Sequence, residues 1–335
     1  MRPDCERPRL IGLLHRACRA AAALASLAAL APGAAWPDTT IRFDPPTGTT
    51  FVESARFTRS SLQDGKSGPA QTVLGETRYV IRRDAAGGYT VTTSPNNPPD
   101  LRADADTAAM LAGMVSAMEL EWDLDERGHL VRVRGLQAAL RQLEPVKPLL
   151  DAVLAALSSQ GTSLQAFAER GWRERGLLGV MTGWQVPAED RTITRKATQQ
   201  VPGIGPVACD MSIRFTPGPP CPGGPCVKVE FRYESHDPAI GKGMATMLRQ
   251  SMINVLKAMA PNGDLSGIDV PVFVFTGARL EDVDVRVIDA RTGLPHGQQF
   301  KRTISGRARV EGDAKTSDFS TVETQDYRFT YEALR

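Results

Sequence analysis

The sequence predicts an α+β fold: a long antiparallel sheet, strongly curved like an incomplete barrel and wrapped around a few amphipathic helices. Three observations predict it. Runs rich in β-branched and aromatic residues recur with hairpin signals between them. Helical apolar spacing is confined to a few segments. The order of strands, helix and strands occurs twice, so two halves share an element order without any repeat at the level of residues.

Ile41 to Phe43, Phe51 to Leu62, Thr72 to Arg83 and Tyr89 to Thr93 read as strands of a meander, with the turn Asp84-Ala85-Ala86-Gly87-Gly88 before the last. Ser94 to Asp100, with three prolines, is expected to continue neither regular structure. Asp104 to Met118 then carries Met110, Leu111, Met114, Val115 and Met118 at helical spacing. Glu119 to Asp125 alternates acidic and apolar residues and turns through Glu126-Arg127-Gly128 into a strand through Val131 and Val133. Leu136 to Ser159 and Ser163 to Arg173 read as helices, with Thr162 a candidate cap for the second.

The second half offers strands over Arg191 to Thr198, Val207 to Phe215 and Val227 to Tyr233, and a helix from Gly241 to Ala260 stopped by Pro261-Asn262-Gly263. Val283, Val285 and Val287 alternate with Asp282, Asp284 and Arg286 ahead of a turn over Asp289 to Gly293. Strands over Phe300 to Val310 and Thr321 to Tyr331 complete the set, the latter with Tyr327, Phe329 and Tyr331 on its apolar face.

The N-terminus addresses location. Five arginines precede an Ala/Leu run from Ala20 to Leu30 and then Ala31-Pro32-Gly33-Ala34-Ala35, the order of a general secretory signal cleaved after Ala35. The rival reading, a retained anchor, needs a longer apolar run. The expected organisation is therefore 1–35 signal peptide, 36–177 β-rich half with helices, and 178–335 β-rich half with one long helix. The destination is the bacterial periplasm or the medium. Cys18 lies ahead of the apolar run, which excludes it as a lipid-attachment site.

The 335 residues are 41% apolar and 23% charged, in the range of folded proteins. Lys and Arg number 40 against 38 acids, a net charge of +2, and the excess lies in the signal. That balance excludes a dedicated nucleic-acid binder. No apolar stretch long enough to span a bilayer follows the N-terminus, so the processed chain is not expected to be an integral membrane protein.

Cys209, Cys221 and Cys226 remain after processing. Cys221 and Cys226 flank Pro222-Gly223-Gly224-Pro225, and a disulfide across this turn is the expected pairing in an oxidising compartment. The alternative is a metal site, for which the neighbouring sequence supplies no histidine. Cys209 is expected to be a buried, inert thiol.

No catalytic motif or cofactor signature is present, so the chain reads as a non-enzyme without cofactor or metal. Asp123 to Gly128 begins like a calcium loop, but Arg134 stands where a bidentate Glu is required. Arg132 and Arg134 are expected to neutralise that acidic strand across the hairpin. His129, His236 and His296 lie in or beside turns and read as surface residues. The suggestive pattern is methionine: Met110, Met114 and Met118 on one helix and Met244, Met247, Met252 and Met259 on another. Such faces suit an adaptable apolar binding surface, with ordinary core packing as the alternative.

The export signal, long antiparallel strands, Asp-containing turns at Asp125 to Gly128 and Asp289 to Gly293, and inner helices together resemble the incomplete-barrel lipoprotein carriers of the bacterial periplasm. The segment Pro46-Thr47-Gly48-Thr49 before the first long strand is similar to that of uncharacterised secreted bacterial proteins of like strand and helix order. The resemblance to the carriers implies an apolar cavity for acyl chains. The expected function is binding of a lipid-like ligand, with Met110, Met114, Met118, Met244, Met247 and Met252 as its contacts. The alternatives are an envelope scaffold that binds a protein partner, and a hydrolase with a carboxylate site.

Overall fold

The computed structural model describes residues 39–97, 119–142, 151, 163–187, 190–201, 203–221, 224–259 and 270–332. The chain divides into two units, Met1–Pro37 and Asp38–Arg335, and the described residues belong to the second. The expected signal and the helix bearing Met110, Met114 and Met118 lie outside them.

The chain runs β1 (Thr39–Thr40), β2 (Thr50–Gln63), β3 (Lys66–Ser67), β4 (Gln71–Arg83), β5 (Tyr89–Asn97), β6 (Leu120–Leu124), β7 (Leu130–Arg134), α1 (Leu136–Gln142) and α2 (Leu164–Arg175). It continues through β8 (Gln185–Val186), β9 (Arg191–Val201), β10 (Gly205–Cys221), β11 (Gly224–Ser235), α3 (Ala239–Met259), β12 (Phe273–Asp289), β13 (Pro295–Val310) and β14 (Ser317–Tyr331). The strands form one 12-stranded sheet in the order β7-β6-β5-β4-β2-β14-β13-β12-β11-β10-β9, with β3 beside β2. Among the described residues all pairs are antiparallel and the sheet is not closed, so β7 and β9 are its edges. β1 and β8 pair separately.

Hairpins explain most of this order, because neighbours in sequence pair most cheaply in space. The exception is the seam between β2 and β14, where Phe51 to Gln63 pairs with Tyr331 to Phe319. The meander is therefore continuous from β9 through β14 into β2 and on to β7, and its break falls where α1 and α2 leave the sheet. Strands of both expected halves share one sheet.

Long strands succeed because turn residues punctuate them. Asp84 Oδ1 accepts from the backbone N–H of Ala86 and Gly88, Asp125 Oδ1 from Arg127 and His129, and Asp289 Oδ1 from Arg291 and Thr292. Each aspartate thereby satisfies the orphan donors of its hairpin.

Three local expectations need correction. Ile41 to Phe43 is not a strand: β1 covers only Thr39–Thr40, and the buried Ile41 and Phe43 follow it in irregular chain. β5 continues through Ser94-Pro95-Asn96 to Asn97. It pairs β6 only up to Thr93, so Pro95 falls where one side of the strand has no ladder to donate to, and a register shift lies opposite it in β4. Ser163, not Thr162, caps α2: its φ of −76° and ψ of 156° are extended and its hydroxyl accepts from the Ala166 N–H at 3.1 Å.

Candidate functional site

One face of the sheet carries the main apolar core, including Phe51, Tyr79, Ile81, Tyr89, Val91 and Trp122. Helix α2 lies against it through Trp172, stacked on Trp122 with ring centroids 4.4 Å apart. The helix ends at Gly176, whose φ of 53° is left-handed and whose N–H returns to the Trp172 carbonyl. A helix C-terminus leaves carbonyls unpaired and is the negative end of the dipole. Here Arg286 of β12 donates Nη1–H to the Gly176 carbonyl, and Arg175 reaches Glu53 of β2.

These two arginines belong to a belt of buried charge. Glu53 also accepts from Tyr79 Oη at 3.1 Å. Asp284 is held by Arg286 Nε at 2.9 Å and Nη2 at 2.6 Å, and by Gln298 Nε2 at 3.1 Å. Asp282, fully buried, takes a forked bond from Arg302, with Nε at 2.9 Å and Nη2 at 2.6 Å, and a further donor from Gln199. Three carboxylates meet three guanidiniums, so the belt is neutral. Burying such groups is tolerable only when each is paired and hydrogen-bonded. Tyr327 flanks the belt beneath Arg175, and burial pushes its phenol above the ordinary range.

The belt inverts the usual strand pattern. Asp282 and Asp284 of β12 are buried while Val283, Val285 and Val287 are half-buried on the opposite face. The reason lies in the register: Asp282 pairs opposite Arg302 and Arg286 opposite Gln298, a complementary polar set on adjacent strands. Sequence alternation identified the strand but not which side would be covered.

Beyond the belt the same face becomes apolar again. Leu280, Ala278, Val207, Val201 and Ile240 form a second cluster, against which Met244 of α3 and Ile304 pack. Phe275 and Phe319 meet edge to face at 5.3 Å and are half-buried. Asp237 starts α3, accepting from the Ala239 N–H at 2.8 Å. Gly241 lets the helix approach β12, since a Cβ there would lie 3.0 Å from the Phe275 carbonyl. Met247 stays 39% exposed, with its sulfur over Gly203, and Met252 is half-buried. Of the six methionines expected as contacts, then, Met244 joins a core cluster, Met247 and Met252 keep open surface, and Met110, Met114 and Met118 lie outside the described residues.

The opposite end of the sheet is packed through glycines. A Cβ on Gly128 in the β6–β7 turn would fall 2.7 Å from Cδ1 of Phe43, and one on Gly293 in the β12–β13 turn 3.1 Å from Cδ2 of the same ring. Gly179 packs on Gly128 itself. The Thr39–Asp44 segment runs between these turns, with Ile41 N–H bonded to the Trp184 carbonyl and Arg42 N–H to that of Ala290.

The remaining candidates divide. The disulfide joins Cys221 and Cys226 across Cα atoms 5.5 Å apart. Cys209 is a buried thiol, its Sγ 3.5 Å from the Ala197 carbonyl, and burial raises its pKa. Arg132 and Arg134 both bind Asp123, as the hairpin pattern requires. His129 is exposed beside Asp125. His296 differs from expectation: it is half-buried against Tyr331, ring centroids 4.9 Å apart, and burial lowers its pKa. A donor nitrogen of His296 and the two disulfide sulfurs all lie within 4.8 Å of one another. Sequence reasoning missed this grouping and the charged belt, because both join strands far apart in the chain.

No protein-family description and no curated protein matches this chain. Among solved structures it has a weak likeness to an outer membrane channel from Pseudomonas putida, with 8% identity and a TM-score of 0.15 over 90% of this chain and 100% of that one. Among the described residues no helix is long and apolar enough to cross a membrane.

Proposed function

We propose that the protein is a non-enzymatic, exported half-barrel that holds an apolar or amphipathic, lipid-like ligand on the covered face of its sheet. The observation that carries this reading is the position of Phe43. The turns that bear Gly128 and Gly293 are six strand spacings apart in the sheet, about 29 Å if it were flat. Yet both turns touch one phenyl ring, a distance that favours a sheet strongly curved toward that ring. Curvature of this kind gives the face an inside, packed shut at the Phe43 end.

At the other end, Phe275, Phe319, Met247 and Met252 leave apolar surface partly uncovered. Between the two lies the neutral charged belt. An amphipathic molecule with an acyl chain on the aromatic and methionine surface and a polar group toward Arg302 and Asp282 matches this gradient. The likeness to periplasmic lipoprotein carriers, the export signal and a periplasmic location belong to the same reading. So does the two-fold element order.

Native mass spectrometry of the protein, purified gently from a bacterial periplasm and followed by organic extraction, tests it. A lipid-sized adduct lost on denaturation supports the reading. A clean apo mass, with no hydrophobic probe bound, overturns it.

A second reading, an interaction module, rests on β9. This eleven-residue strand is a sheet edge, and Ile193 on it is 40% exposed. A stable partner in periplasmic pull-downs, lost on Ile193→Lys, is the outcome that favours it.

A further inference from the structure

The Cys221–Cys226 bridge and His296 converge from two hairpins 70 residues apart in sequence. Among the described residues these three form the one group of three or more His, Cys, Asp or Glu whose donor atoms come together. The local chain is built to hold them. Beyond a register shift after Pro217, Pro220 pairs opposite Pro225 and Cys221 opposite Gly224, so two fixed-φ residues brace the cysteines. A Cβ on Gly218 would lie 2.8 Å from the Cys226 carbonyl, so only glycine allows that backbone approach. On the other hairpin, Tyr331 packs against His296 with the rings tilted by 32°, and its hydroxyl donates to the Pro295 carbonyl, which holds the imidazole beside the sulfurs. Asp289 sits opposite Cys226, but its carboxylate is engaged by the N–H groups of Arg291 and Thr292.

Closing a loop with a sequence separation of 5 removes less chain entropy than a bridge across a longer loop would. A braced dithiol with an imidazole at hand has a second use. We propose that Cys221, Cys226 and His296, with the bridge reduced, form a three-coordinate site for monovalent copper, and that the disulfide is the closed, metal-free form of that site.

Two soft thiolates and one imidazole, a borderline donor that also suits copper, supply the three ligands that monovalent copper accepts, whereas structural zinc requires four. The chemistry balances with a dithiol reductant. It gives two electrons and two protons to the S–S bond, producing two thiols and its own disulfide. Copper(I) binding then releases both thiol protons to solvent. In the return step a disulfide oxidant takes two electrons from the two thiolates and two protons from solvent, leaving as two thiols, while the S–S bond re-forms and copper(I) is released unchanged. The proposal is independent of any lipid ligand.

The test uses the full chain with Cys5→Ser, Cys18→Ser and Cys209→Ala, so that no thiol outside the site can compete, reduced by a dithiol that is then removed under anaerobic conditions. Copper(I) is titrated against a bicinchoninate competitor, and X-ray absorption reads the donor set. The expected result is one ion per chain with two sulfur and one nitrogen scatterers, no binding by the oxidised protein, and loss of binding in Cys221→Ser/Cys226→Ser. His296→Ala should weaken binding at least about tenfold and remove the nitrogen scatterer. If His296→Ala loses the far-UV signature of the sheet, His296→Gln and the wild-type absorption spectrum decide. Equal affinity in the serine variant, equal binding by the oxidised protein, or a donor set without nitrogen overturns the assignment.

Discussion

At the scale of single residues, the glycines at the closed end and the charged belt carry the sharpest consequences. Gly179 has a φ of 69°, and a Cβ there would fall within the Gly128 backbone. Gly87 has a φ of 92° but open space around it. Gly87→Ala should therefore cost only the left-handed strain, about 1 kcal/mol. Gly179→Ala must also displace the β6–β7 turn from Phe43, and should cost at least about 3 kcal/mol in urea unfolding. Equal costs at the two positions would show that the turns do not meet there. In the belt, Arg302→Met leaves Asp282 charged, buried and short of its main donor, a loss of about 3–5 kcal/mol. Adding Asp282→Asn should restore more than half of that loss. A double-mutant cycle checks this, and strict additivity would mean that the two side chains act separately.

At the scale of elements, the β6–β7 hairpin shows how a charged strand is stabilised and how it responds to acid. Partial burial alone would raise the Asp123 pKa, but hydrogen bonds from Arg134 and Arg132 outweigh it and hold the carboxyl below the ordinary range. A carboxyl depressed in the folded state binds its proton more readily when unfolded. Its contribution is thus complete above about pH 4 and fades as pH falls through the lower folded value. Stability measured from pH 6 to pH 2 should fall less steeply for Asp123→Asn than for the native chain. Parallel curves would show that the pair is solvent-screened and contributes nothing.

At the scale of the whole molecule, the seam between β2 and β14 joins the beginning and end of the described chain in the middle of one sheet. Strands from 36–177 and 178–335 depend on each other there, and a core shared in this way should unfold as a unit. Fluorescence of Trp122 and Trp172, stacked beside α2, and of Trp184, beside Phe215 and Phe231, should follow one denaturant transition that coincides with far-UV dichroism. Two separated transitions would show that the seam is weak and that the halves are autonomous.

Features that depend on near neighbours are legible in the chain alone. Alternation and turn chemistry located the long strands, though not the two-residue β1, β3 and β8, because an Asp-containing turn satisfies its own donors within a few residues. The Cys221–Cys226 bridge and the pairing of Asp123 with Arg132 and Arg134 were legible for the same reason: five residues or one hairpin separate the partners. The tertiary structure alone decided what depends on distant partners. Whether Asp282 or Val283 is buried turns on what lies opposite in β13 and β9, and Arg302 and Gln199 supply that answer. Met244 is half-buried because the cluster of Leu280, Val207 and Ile240 came together beside it. His296 became a neighbour of two sulfurs because β12 sets Asp289 opposite Cys226 on one side and Ile288 opposite Pro295 on the other. Pattern in one strand fixes which residues share a face; only the register with other strands fixes what that face meets.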